Sequence, residues 1–138
     1  MSLRTAQWRD VRRLPRFVLA AAIAVPASGL ACETCIEDQI AATYDHAVVA
    51  KAEAAGHLIL YAAVRGSNAG TARSDAKIRR AIASVAGVDR RSIRLSPAPP
   101  AASFAWDPQR LASATVLRAI NHRLAGSGLA LVALQTFG

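Results

Sequence analysis

Sulfur is scarce in this chain. Of 138 residues, two are cysteine, Cys32 and Cys35, and one is methionine. Two cysteines cannot by themselves complete a tetrahedral zinc centre, which takes four ligands. A disulfide between them closes a very small loop and cross-links nothing distant, so it is a weak staple. Long apolar runs are also missing. The uncharged stretch from Phe17 to Ala31 has fifteen residues and is interrupted by Pro26 and Gly29, whereas a membrane-spanning helix needs about 20. Aromatic residues make up only 5% of the chain. The dense basic stripe with interleaved aromatics that marks a nucleic-acid binder is absent, and no nucleic-acid partner is expected. No hydrolytic constellation is present either. Ser67, Ser74 and the three histidines stand outside any catalytic motif, and the acids form no recognisable pair. The chain reads as a non-enzyme.

The amino end has the form of an export signal. Arg4, Arg9, Arg12, Arg13 and Arg16 precede the uncharged stretch, and small residues follow at Val25-Pro26-Ala27 and Gly29-Leu30-Ala31. Residues 1–31 are therefore expected to be a signal peptide, with a periplasmic or secreted product. A membrane association would come only through an uncleaved or lipidated leader. Arg12-Arg13 invites a twin-arginine reading, which Pro15 and the displaced Phe17 fit badly. Cys32 directly after Ala31 leaves a lipoprotein alternative, although Gly29 stands where leucine is expected. Removing residues 1–31 lowers the net charge from +8 to +4, so much of the basic character belongs to the leader. The cations that remain, such as Arg73, Lys77, Arg79 and Arg80, read as solvated faces.

Beyond Cys32-Glu33-Thr34-Cys35, the recurrence of Ile36, Ile40, Tyr44, Ala47 and Val48 predicts an amphipathic helix to about Ala55, stopped by Gly56. Thr34 is a candidate N-cap. Glu37 and Asp38 lie in the first turn, where the helix dipole favours negative charge. The apolar run His57–Val64 predicts a buried strand. A helix opening at Ser74-Asp75 turns Ile78, Ala81, Ile82 and Val85 inward. Arg91–Leu95 alternates before Pro97, Pro99 and Pro100 break the ladder. Ser103–Trp106 predicts another strand, with Phe104 and Trp106 in the core. Arg110–Ala125 predicts a helix, and Leu129–Phe137 a last strand. The order from His57 is strand, helix, strand, strand, helix, strand. That predicts an α+β, ferredoxin-like βαββαβ sandwich, its antiparallel sheet covered on one face by two helices, preceded by an extra N-terminal helix.

A series of landmarks follows this order: Val85-Ala86-Gly87-Val88, Ser92-Ile93-Arg94-Leu95, Phe104-Ala105-Trp106-Asp107-Pro108 and Leu117-Arg118-Ala119-Ile120. Together they resemble the heavy-metal-associated domain of copper chaperones and periplasmic mercury-binding proteins. The resemblance runs from about Leu58 to Phe137, so the chain divides into a leader (1–31), the cysteine pair with its helix (32–56) and the resembling domain (57–138). In that family a Cys-x-x-Cys in the loop between the first strand and the first helix holds the metal. Here the loop is Arg65-Gly66-Ser67-Asn68-Ala69-Gly70-Thr71-Ala72-Arg73, with no sulfur and no histidine.

The cysteines instead precede a different helix. Two thiolates two residues apart can grip Cu(I), or hold part of a zinc or Hg(II) site. Thiols at helix N-termini ionise more readily, which favours metal binding and disulfide attack. His46, eleven residues beyond Cys35, lies about 16 Å away along a helix and cannot share its ion, so a cysteine-only site for Cu(I) or Hg(II) is expected. His57 and His122 read as surface or strand-edge histidines. The expected function is soft-metal binding and transfer to a partner protein. Two alternatives stay open. One is a periplasmic interaction module with an oxidised Cys32–Cys35 pair, the default fate of close thiols in an oxidising compartment. The other is a thiol redox protein, for which the buried strand that precedes the thioredoxin motif is missing.

Overall fold

The computed structural model describes residues 35–138. The expected leader, Cys32 and the Thr34 cap lie outside the described residues. β1 (Leu58–Arg65) is the central strand. Its residues alternate between two cores, so both of its faces must be apolar. Leu60, Ala62 and Val64 enter one core, while Ile59 and Tyr61 enter the other. β2 (Arg94–Pro97), β3 (Pro100–Trp106) and β4 (Ala130–Phe137) complete a four-stranded sheet in the order β2-β3-β1-β4. Every neighbouring pair is antiparallel. The chain is α+β.

The prolines lie inside the β2–β3 hairpin instead of ending it, and Pro97 pairs with Pro100 across the turn. This is tolerable because β2 is an edge strand and Pro100 lies beyond the last residue that β3 pairs with β1. The expected strand start at Arg91 is taken by a 3-10 turn over Arg90–Ser92, capped by Asp89.

α3 (Ala72–Ala83) begins two residues before the expected Ser74. The cause is a reciprocal cap: the Ser74 amide donates to Thr71 Oγ1 at 3.2 Å, and the Thr71 amide donates to Ser74 Oγ at 3.0 Å. α4 (Ser113–Leu124) starts later than the expected Arg110, because Asp107 turns the intervening chain. α3 and α4 pack on the Leu60 face of the sheet. Ile78, Ile82, Val116 and Ile120 meet Phe104 and Trp106 there, all fully buried.

The stretch expected to be one helix from Ile36 to Ala55 is two, α1 (Ile36–Thr43) and α2 (His46–Ala54). Tyr44 adopts an extended backbone, and Asp45 restarts the helix as an N-cap, accepting from the amides of Ala47 (2.9 Å) and Val48 (3.3 Å). Both helices lie on the second face of the sheet, so it is covered on both sides. This second core is thin, with four buried residues against sixteen on the other side among the described residues. The α3–α4 layer therefore carries most of the hydrophobic stabilisation. Among the described residues, no helix is long and apolar enough to cross a membrane.

Candidate functional site

Cys35 sits at the N-cap position of α1, exposed. Its carbonyl oxygen accepts from the amides of Asp38 (3.0 Å) and Gln39 (3.2 Å), so the backbone at this residue is held by the first turn. The side chain makes no capping hydrogen bond. The expected cap, Thr34, and the expected second thiolate, Cys32, lie outside the described residues. Among the described residues, no three His, Cys, Asp or Glu side chains gather where they can hold a metal ion. His46 stands at the start of α2, His57 just before β1, and His122 on α4. What α1 offers is one open thiol beside two first-turn acids, Glu37 and Asp38.

The orientation of α1 differs from the expected one. Ile36 and Tyr44 are exposed (53% and 56%), while Gln39 and Thr43 face the sheet. The sheet surface explains this. Ala101, Ser103 and Ala105 alternate with Ala102, Phe104 and Trp106 on β3, so the α1 side of that strand carries only small side chains. A helix backbone can come close to such a surface. Ser103 Oγ donates to the Thr43 carbonyl at 2.9 Å in a buried contact. Gln39 is 2% exposed, and among the described residues its Oε1 accepts no hydrogen bond. Tyr61, on the same face, meets the Phe137 ring edge-on at 5.5 Å.

Two ion pairs tie α2 to the β2 side of the sheet. Arg94 Nη2 lies 2.8 Å from Asp45 Oδ2, and Lys51 Nζ lies 3.0 Å from Asp89 Oδ2. The Arg94 hydrogen bond, followed by the Val48 amide, holds the Asp45 carboxyl below its ordinary value. For Asp89, desolvation pushes upward, but the Lys51 hydrogen bond and the Arg91 amide outweigh it, and the net shift is also downward. The stability from these depressed carboxyls is fully present above their ordinary value near 3.8. It is lost as pH falls through the lower folded values. Thermal melts should therefore show the melting temperature falling as the buffer is taken from mildly acidic to below that value. Asp45→Asn should flatten that dependence and lower the starting melting temperature. An unchanged acid slope in Asp45→Asn would show that the pair does not hold α2.

The loop that carries cysteines in the resembling family runs here from β1 to α3. It is packed against backbone. Gly66 (φ +135°) lies under the Gly128 carbonyl and Gly70 (φ +80°) under that of Pro97. Thr71 Oγ1 donates to the Asn68 carbonyl at 3.1 Å. The sequence reading missed a second feature, a cationic cleft beside α2 that combines Lys51, His57, Arg91 and Arg94. These residues come from three separate segments that meet only in the folded chain. Comparison with known proteins finds no matching family model, no similar curated protein and no similar solved structure.

Proposed function

We propose that this protein is an exported carrier of a soft metal ion, which holds Cu(I), or an ion of the Hg(II) type, between Cys32 and Cys35 and passes it to a partner protein. The observation that carries this reading is the exposure of Cys35 at the first turn of α1, next to a second cysteine in sequence. An exposed thiol is open to a partner's thiolates, and ligand exchange at a two-coordinate soft ion needs that access. The domain behind it is ferredoxin-like in this reading, a relative of the heavy-metal-associated domain. The strand order β2-β3-β1-β4 with α3 and α4 on one face supports that assignment. The metal centre has moved from the β1–α3 loop to the start of α1. The product is periplasmic or secreted after loss of residues 1–31, and it is not an enzyme.

A second reading is favoured by a different observation. Ile36, Tyr44, Val132 and Phe137 leave large apolar side chains in solvent, as a protein-interaction module with an oxidised Cys32–Cys35 pair would. One experiment separates the two. The reduced protein is titrated anaerobically with Cu(I) against a competing chelator, beside Cys32→Ser, Cys35→Ser. We expect one tightly bound Cu(I) per chain, and a loss of affinity of several orders of magnitude in the double variant. Equal, weak binding by both proteins would discard the carrier and leave the interaction module.

A further inference from the structure

Two adjoining hollows lie between α2, the 3-10 turn and the segment after β3. The smaller, about 180 Å³, has an apolar floor of Val48, Ala52 and Ala105 under α2. The larger, about 570 Å³, opens beside it between Gly87 and Arg110. Lys51, His57, Asp89 and Arg91 line both, so the two form one cleft.

The cations of this cleft are not equivalent. Lys51 is engaged by Asp89 (3.0 Å), Arg94 by Asp45 (2.8 Å) and Arg110 by Asp107 (3.6 Å). These pairs use both acids that line the cleft. Arg90 and Arg91 remain without a carboxylate among the described residues. Arg90 donates from Nε to the Ala83 carbonyl at 3.0 Å, which holds it in place but leaves its charge uncompensated. The Arg91 amide donates to Asp89 Oδ1 (3.0 Å), which fixes the backbone. Its guanidinium makes no hydrogen bond or ion pair among the described residues.

Two uncompensated guanidinium charges match a phosphate monoester, which carries about −1.5 to −2 at neutral pH. A planar guanidinium also grips phosphate through two parallel hydrogen bonds. The apolar floor next to Arg91 matches a compact hydrocarbon body. We propose that this cleft binds a small organic phosphate monoester, its phosphate on Arg91 and its apolar body over Val48, Ala52 and Ala105. Among the described residues no cysteine lines this cleft, and the proposal does not depend on metal binding.

The full chain can be titrated by calorimetry with phenyl phosphate and with inorganic phosphate, for wild type, Arg91→Gln and Arg80→Gln. Arg80 lines a different groove, between α3 and α4, and its removal costs the same formal charge. Arg91 is exposed and its side chain supports no other residue, so the variant should fold as wild type does. Phenyl phosphate should bind about tenfold more tightly than inorganic phosphate, the ratio expected from burying about 1.4 kcal/mol worth of apolar body. Arg91→Gln should weaken phenyl phosphate about tenfold or more, as the loss of a charged hydrogen bond predicts. Arg80→Gln should stay within about twofold of wild type, because a distant exposed charge is screened. The proposal is overturned if wild type does not bind phenyl phosphate, if both probes bind equally, or if the two variants lose affinity alike.

Discussion

Replacing Trp106 with alanine should cost the domain about 3–5 kcal/mol from lost burial and the cavity left behind. Trp106 is fully buried on β3, in the core formed with α3 and α4. Its ring lies 6.2 Å from that of Phe104 at a tilt of 54°. Its indole Nε1 donates to the Leu111 carbonyl at 2.9 Å, so the same side chain fills the core and pins the turn before α4. Alanine removes the bulk and also leaves that carbonyl without its donor, which adds about 1–3 kcal/mol where water cannot reach it. Small domains hold only about 5–15 kcal/mol in total. At about 4–8 °C per kcal/mol for a domain of up to about 100 residues, the melting temperature should fall by about 15 °C or more. Trp106→Phe gives an intermediate case, since it keeps one aromatic ring in the core but loses the N–H donor and the rest of the indole. Urea denaturation of both variants checks this. A loss below about 1 kcal/mol in Trp106→Ala would contradict its place at the centre of the core.

Trp106 was readable because one strong pattern governs it. Phe104 and Trp106 alternate with small residues, and a period of two places them together on one face. The inward set Ile78, Ala81 and Ile82 on α3, with Val85 just past its end, was readable for the same reason at helical period, and all four are buried. α1 shows where such patterns stop. Ile36, Ile40 and Tyr44 share a helical stripe, and periodicity alone turns that stripe inward. The structure packs Ile40 against the second core but leaves Ile36 and Tyr44 exposed and buries Gln39 and Thr43. Periodicity identifies a helix but says nothing about the surface it meets. Here that surface is the small-residue side of β3, where close backbone approach and the Ser103–Thr43 hydrogen bond decide the rotation. The break at Tyr44–Asp45 carried a readable signal, since aspartate is a preferred N-cap. It was hidden by the apolar spacing that continues across it.

The candidate sites divide in the same way. Cys35 was legible because two cysteines at one spacing are a local motif. The cleft was not legible, because its members only meet through tertiary structure. Arg91 and Arg94 read as part of a solvated face, and nothing in the sequence joins Lys51 to them. Asp45 and Asp89 bring them together, each capping a short helical element while accepting an ion pair from another segment. A residue with two such jobs is not marked as special by its neighbours in sequence.

The second large effect expected is for Gly66→Ala, in the loop where the resembling family holds its metal. Gly66 is exposed, so burial gives no warning. Its backbone sits at φ +135°, a conformation that L side chains rarely adopt, and a Cβ there would overlap the Gly128 carbonyl oxygen. That oxygen belongs to the backbone of the α4–β4 connection, and no rotamer change can move it aside. Strained backbone of this kind costs about 1–3 kcal/mol, and overpacking typically adds about 1–3 kcal/mol. A loss of about 3 kcal/mol or more is expected. Gly56→Ala is the matched control. Gly56 also has positive φ (+66°), but a Cβ there would meet nothing within 4 Å, so only the left-handed penalty of about 1–2 kcal/mol applies. The difference between the two urea midpoints measures the clash. If Gly66→Ala loses no more than Gly56→Ala, the loops are not locked together and the β1–α3 loop has room to rearrange around a ligand. If it loses about twice as much or more, close backbone packing locks this loop and leaves it no room to rearrange around a ligand.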